Sequence, residues 1–103
     1  MAMDERGKAF ESKWAHDADL RFKVEARRNR ALGEWAAAKK GLTGQAVEDL
    51  IGSVIASDFQ EAGDEDVFRK LRSELDASVS DADIRAKMRE CLAAAVDQVS
   101  KSV

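Results

Sequence analysis

The sequence predicts an all-α protein, a small four-helix bundle with a long first helix and a flexible N-terminal arm. Two observations carry this prediction. Apolar residues recur every three or four positions along nearly the whole chain, the spacing that places side chains on one face of a helix. Proline is absent from the 103 residues, so no proline ring interrupts a helix. A chain of this length forms one domain with a modest hydrophobic core.

The first helix is predicted to run from before Phe10 to about Lys39. Its main apolar face consists of four residues within about 60° of arc at about 100° per residue, namely Leu20, Val24, Ala31 and Trp35. Phe22 and Ala26 lie on a second side of the helix, where Gly33 permits the close approach of another helix.

Three further helices are predicted from their caps and apolar stripes. Thr43 is the expected N-cap of the second helix. Gly63 is expected to end this helix, because glycine readily adopts the left-handed conformation found after the last helical residue. Asp64 is expected to cap the third helix. Ser80 and Asp83 have the spacing of a capping box at the start of the fourth. Because the connections are short, neighbouring helices should run antiparallel.

Residues 1–19 are predicted to form the arm, and residues 20–103 the bundle. On a continuous helix, Phe10 and Trp14 point about 80° and about 120° away from Leu20, so the pair lies off the core face. An isolated helix of under about 15 residues is marginal in water. We therefore expect an arm that orders against another protein, with the two rings as its main contact. The alternative is that both rings fold back onto the bundle, because aromatic residues at helical spacing usually belong to a core.

The charge distribution is uneven, although the net charge is only −3. Residues 1–30 carry eight basic and six acidic residues, whereas residues 41–83 carry three basic and eleven acidic residues. Nucleic acid requires a coherent basic face, so we expect a protein partner and no nucleic acid.

The sequence also predicts a cytoplasmic protein. No apolar run approaches the roughly 20 residues that span a bilayer, so direct membrane insertion is not expected. The start of the chain lacks the apolar stretch of a secretory signal. Cys91 is the single cysteine, which excludes an internal disulfide, and its place on the apolar stripe of the last helix predicts a buried, unreactive thiol.

No set of residues suggests catalysis, so we do not expect an enzyme. His16 is the only histidine, and no carboxylate cluster has the spacing of a calcium-binding loop, so no metal site is expected. Arg27, Arg28 and Arg30 of "ARRNR" are weak candidates for phosphate contact, although on a helix they spread over different faces. No cofactor is required. A small nucleotide-sensing or interaction module is therefore one function that the sequence leaves open.

Five stretches follow one another along almost the whole chain: "AFESKWAHD", "LRFKVEARRNRALGEWAA", "GLTG", "DFQEAGDEDVFRKLRSEL" and "SDADIRAKM". Together they resemble the zeta-subunit family, the small inhibitor proteins of the F-type ATP synthase of alphaproteobacteria. The most specific parts are "AHD", "EARRN" with "LGEWAA" just after it, and "GDEDVFRKLR".

The resemblance implies a four-helix bundle that blocks ATP hydrolysis by the synthase. Its N-terminal segment, about residues 1–19, would insert at a catalytic interface between the alpha and beta subunits, near the gamma subunit of the rotor. The resemblance assigns partner binding to Arg6, Phe10, Lys13, Trp14, His16 and Asp17. The basic members would pair with acidic groups of the head, and Asp17 with a basic one. It also implies a position peripheral to the inner membrane when the protein is bound to the synthase.

Overall fold

The computed structural model describes residues 13–58 and 63–102, which form four helices and no strand. The helices are α1 (Ala18–Lys40), α2 (Gln45–Ser57), α3 (Glu65–Glu74) and α4 (Asp81–Ser102). The predicted all-α class is therefore confirmed, and α1 is the longest helix of the described residues. The division into an arm of residues 1–19 and a bundle of residues 20–103 stays a prediction.

Helix α1 begins later than the sequence pattern indicated. The chain is helical at residues 13–14, turns at residues 15–16 and is extended at Asp17, with φ −102° and ψ 115°. The Asp17 Oδ1 accepts a hydrogen bond from the Leu20 N–H at 3.0 Å, which makes Asp17 the N-cap of α1. The prediction of one continuous helix from before Phe10 is therefore wrong. The helical conformation is interrupted at residues 15–17, where Asp17 caps a new helix.

Helix α1 ends in a Schellman motif. Gly41 has φ 70°, a left-handed conformation that glycine adopts without steric cost. Its N–H donates to the carbonyl of Ala38 at 3.1 Å, and the N–H of Leu42 donates to the carbonyl of Ala37 at 2.9 Å. The chain thus reverses within a few residues to enter α2.

The ends of α2 differ from the predicted ones. Gly44, with φ 64°, is the N-cap in place of Thr43, because the tight reversal requires a backbone conformation that glycine tolerates. Gly63 has the left-handed conformation expected of it, with φ 87°, but α2 ends earlier, at Ser57.

The starts of the last two helices are largely as predicted. Asp64 is the N-cap of α3, although its side chain makes no capping hydrogen bond. The capping box of α4 is confirmed, because the Ser80 Oγ accepts from the Asp83 N–H at 3.0 Å and the Asp83 Oδ2 accepts from the Ser80 N–H at 3.4 Å.

The core has two parts. The main cluster draws on all four helices and comprises Leu32, Ala36, Ala37, Leu50, Val54, Val67, Leu71, Leu75, Ile84, Met88 and Cys91. The second cluster joins Val24 of α1 to Ala95 and Val99 of α4. Cys91 is buried as predicted, and burial raises the pKa of its thiol.

Helices α1 and α2 pack closely at Gly33, as the sequence predicted. A Cβ atom at this position would lie 2.8 Å from the Cα of Ile51. Helix α2 has 13 residues against 23 in α1, so it covers only the C-terminal part of α1. The N-terminal part of α1 is where the candidate site lies.

Candidate partner-binding site

Trp14 packs against the second core cluster. Its ring is half-buried and contacts the group formed by Val24, Ala95 and Val99. Three other partly buried apolar side chains pack on the same cluster, namely Leu20, Leu92 and Val96. The expectation that Trp14 has no place on the folded body is therefore wrong, and the alternative that it folds back onto the bundle is correct for this ring.

The break before α1 explains this difference. The angle of about 120° between Trp14 and Leu20 holds for one continuous helix. The turn at residues 15–16 and the extended Asp17 change the direction of the chain, so the ring reaches the end of the α1–α4 interface. The position of Trp14 is thus set by the turn before α1 and not by the helical periodicity of the sequence.

The other candidate residues of the arm differ in their surroundings. Lys13 and His16 are exposed. Asp17 is half-buried, and its carboxylate is engaged as the cap of α1. Arg6 and Phe10 lie outside the described residues. In the described part of the site, Lys13 and His16 thus present their side chains to solvent next to the docked Trp14.

The three arginines of "ARRNR" lie on three sides of α1, as the helical spacing indicated. The Arg27 Nη1 approaches the Gln98 Oε1 at 3.5 Å, and Arg30 pairs with Glu48 at 3.3 Å. Arg28 is 5% exposed. The structure therefore does not bring the three guanidinium groups together, and Arg28 is not available to a phosphate. Weak nucleotide binding stays a prediction of the sequence.

Arg28 belongs to a buried polar network that joins α1 to the end of α2. Its Nη2 lies 3.3 Å from the Asp58 Oδ1, and its Nε donates to the Asn29 Oδ1 at 3.0 Å. The Asn29 Nδ2 donates to the Asp58 Oδ2 at 3.0 Å. The three side chains thus satisfy one another inside the protein, as buried polar groups require.

The sequence interpretation missed this network. Asn29 lies between Ala26 and Gly33 on the second side of α1, which is the signal that could have identified it as a contact with α2. The distant partner, Asp58, has no signal in the sequence, because ion pairing between helices depends on how they pack.

Glu25 lies beside this network. Burial raises the pKa of its carboxyl group, the charge of Asp58 raises it further, and Arg28 and Arg21 partly offset both. A carboxyl group whose pKa is higher in the folded than in the unfolded state stabilises the fold at pH values below its unfolded-state pKa. This contribution to stability is lost as the pH rises through the folded-state pKa. The charged Glu25 therefore destabilises the protein at neutral pH.

We expect Glu25→Gln to raise the free energy of unfolding at pH 7. The variant should have no such advantage well below the ordinary pKa of 4.5, because the carboxyl group of Glu25 is then protonated in both the folded and the unfolded protein. Urea unfolding at several pH values measures this. Glu34→Gln, at an exposed position of the same helix, is the matched control. Equal effects of both variants across the pH range would contradict the account of Glu25.

An open groove lies on another part of the surface, along the C-terminal part of α1. Trp35 lines it, with the Lys87 Nζ 5.9 Å from the ring centroid. Its ionisable lining residues are of both signs, namely Lys39, Lys40, Lys87, Glu74, Asp76, Asp83 and Glu90. The groove thus presents no predominantly basic surface for an anionic ligand.

The described residues provide neither a metal-binding cluster nor a membrane-spanning helix. Within residues 13–58 and 63–102, no three histidine, cysteine or acidic side chains are placed to hold a metal ion. None of the helices in the described part of the chain has the length and apolar character needed to cross a membrane.

The described residues define a small all-α protein. A family model described as ATPase inhibitor subunit zeta matches residues 1–98. The chain belongs to this family, which confirms the resemblance seen in the sequence. A search of curated proteins finds no match to the chain.

Membership of the family gives the general role of the protein. It supports a function as an inhibitor of ATP synthase, which is a regulatory role. It also implies that the synthase is the partner.

Proposed function

We propose that the protein inhibits ATP hydrolysis by inserting residues 1–19 at a catalytic interface between the alpha and beta subunits of the synthase head, close to the gamma subunit. The inserted segment would obstruct rotation in the hydrolysing direction. The observation that supports the proposal is the break at residues 15–17, which places a turn and an extended residue between Trp14 and the start of α1. A segment that joins the bundle through a turn can leave it without unfolding a core helix.

In this proposal Trp14 exchanges one apolar contact for another. In the free protein its ring covers the cluster of Val24, Ala95 and Val99. The ring is only half-buried there, so its release costs less than removal of a core side chain. A deeper apolar pocket in the synthase would more than offset that cost, because buried tryptophans are among the strongest contacts of protein interfaces.

The charged residues of the segment have distinct proposed roles. Lys13 is exposed and pairs with an acidic group of the head, as we propose also for Arg6. His16 is exposed and contacts the partner. Asp17 pairs with a basic group of the head, and its capping bond to Leu20 competes with that pairing. Phe10 supplies apolar area next to Trp14.

The experiment that tests the proposal is ATP hydrolysis by the isolated synthase head. The intact chain should inhibit, and a chain without residues 1–12 should not. This deletion keeps every described residue, including Trp14 and the cap of α1, so the shortened chain should retain the cooperative unfolding of the bundle. Equal inhibition by the two chains would show that the segment before Lys13 is not the inhibitory one.

A further inference from the structure

The backbone of Asp17 separates residues 13–16 from α1. Asp17 has φ −102° and ψ 115°, whereas a residue inside an α-helix has ψ of about −42°. The Asp17 N–H nevertheless donates to the Lys13 carbonyl at 3.1 Å, and the Asp17 carbonyl accepts from the Arg21 N–H at 2.8 Å. Both bonds join residues four positions apart, as in an α-helix. The chain therefore leaves the helical path at this one residue.

A helical Asp17 would complete three backbone hydrogen bonds that the break leaves out. In a continuous helix, the N–H groups of residues 18–20 would donate to the carbonyls of residues 14–16. In the structure, the Leu20 N–H donates to the Asp17 Oδ1 instead, at 3.0 Å. Residues 8–32 contain neither glycine nor proline, so their types permit a helix through the break.

The Asp17 carboxylate also has alternative partners in a continuous helix. Lys13 lies four residues before it and Arg21 four residues after it, and both side chains are exposed. Opposite charges at this spacing stabilise a helix. Backbone bonds and ion pairs thus favour the continuous helix, whereas the capping bond and the packing of Trp14 favour the break. These opposing contributions are of similar size, which gives the chain two accessible arrangements.

The two arrangements place Trp14 differently. With the break present, its ring packs on the cluster of Val24, Ala95 and Val99. In a continuous helix, Trp14 would lie ten residues before Val24, about 15 Å along the helix axis and about 80° around it. This displacement is larger than an indole side chain can span. The ring would therefore leave the cluster when Asp17 becomes helical.

Continuity with α1 also explains how residues 13–16 stay helical after the ring is released. Formation of a new helix has an unfavourable nucleation step, whereas extension of an existing helix does not. Helix α1 has 23 residues and starts directly after Asp17, so residues 13–16 would extend a helix that is already formed. A segment released with the break intact would lack this support.

We propose that Asp17 is a two-state hinge, and that the protein inhibits the synthase with Asp17 helical. In the docked state Asp17 is extended and Trp14 packs on the bundle. In the continuous state residues 13–40 form one helix and the ring is released. The link to inhibition rests on the proposed function, whereas the hinge is a property of the free chain. The docked state lowers the apparent affinity for the synthase, because only the continuous state presents the ring.

Nuclear magnetic resonance of the free protein tests the hinge with Asp17→Ala and Asp17→Asn. Alanine removes the cap and favours a helix interior, whereas asparagine caps a helix as well as aspartate does. In Asp17→Ala, the indole N–H resonance of Trp14 should move toward that of a water-exposed indole. The Cα chemical shifts of residues 15–18 should become helical. Asp17→Asn is the matched control and should retain the docked state.

Three results of this comparison would overturn the proposal. The first is a Trp14 resonance in Asp17→Ala at its wild-type position. The second is a released ring without helical Cα shifts at residues 15–18, which would mean that the break persists. The third is an equal movement of the indole resonance of Trp35, because this ring packs on the main core cluster and should not sense the hinge.

Inhibition of ATP hydrolysis by Ala15→Gly tests whether the synthase binds the continuous state. Ala15 is exposed and lies in a turn in the docked state, where glycine is tolerated. In the continuous state it lies inside a helix, so glycine should weaken inhibition about fivefold. Ala94→Gly makes the same change at an exposed position inside α4 and should inhibit as the wild type does. Wild-type inhibition by Ala15→Gly, or an equal loss in both variants, would overturn the proposal.

The outcomes separate this proposal from the proposed function. If the intact chain does not inhibit, the proposed function fails, and the resonances of Asp17→Ala alone decide whether the hinge exists. If the intact chain inhibits and the chain without residues 1–12 does not, the proposed function stands. Wild-type inhibition by Ala15→Gly would then show that only the role of the hinge is wrong.

Discussion

Replacement of Arg28 by alanine is expected to lower the free energy of unfolding by about 3–5 kcal/mol, the cost of leaving a buried charge without its partner. The side chains of Arg28 and Asp58 are 6% and 10% exposed, so water cannot compensate the carboxylate that remains. Asn29, which bonds both groups, would lose one of its two partners. Urea denaturation followed by circular dichroism measures the change.

Two controls separate the buried network from an ordinary ion pair. Arg30→Ala removes a pair with Glu48 in which both side chains are more than half exposed, and should cost less than about 1 kcal/mol. The triple change Arg28→Met, Asn29→Leu and Asp58→Leu removes all three polar side chains of the network together and should be much milder than Arg28→Ala alone. If Arg28→Ala costs no more than Arg30→Ala, the network does not hold α1 to the end of α2.

Trp14→Ala is expected to weaken inhibition about thirtyfold, the effect of removing an interface contact worth about 2 kcal/mol. The same change should also lower the free energy of unfolding, because the ring is half-buried on the second core cluster. Hydrolysis assays and urea unfolding on the same preparations measure the two effects separately.

Val99→Ala is the matched variant for Trp14, because it changes the other side of the same contact. Val99 is 1% exposed and belongs to the cluster on which the ring packs, so its truncation also destabilises the bundle. It leaves the ring intact and weakens its docking in the free protein, so inhibition should be equal to or stronger than that of the wild type. If Trp14→Ala and Val99→Ala weaken inhibition equally, lost stability explains both results and the ring has no contact with the synthase.

The fold was predictable from the sequence because local signals and apolar periodicity agree along most of the chain. The capping box at Ser80 and Asp83 and the close approach at Gly33 are examples in which the residue types alone indicate the geometry. The start of α1 was not predictable in the same way. Asp17 can either lie within a helix or cap one, and the periodicity of the flanking residues does not distinguish the two.

The site was predictable only in part. The family resemblance correctly indicated an inhibitor of ATP synthase, which the family match confirms at that level. The docking of Trp14 was missed because helical angles cannot be extended across a break in the helix. The burial of Arg28 was missed because it depends on Asp58, thirty positions further along the chain, and pairings of that range follow from packing.

The most direct test of the central claim is to locate residue 13 in the inhibited complex. A photoreactive benzoylphenylalanine in place of Lys13, which is exposed and adjacent to Trp14, is irradiated with the synthase head, and mass spectrometry identifies the adducts. Lys101, an exposed residue of the last turn of α4, carries the same group as the control. We predict that position 13 forms adducts at the catalytic interface of the alpha and beta subunits and that position 101 does not. Adducts of position 13 confined to the outer surface of the head, in a complex that is fully inhibited, would contradict insertion of the arm.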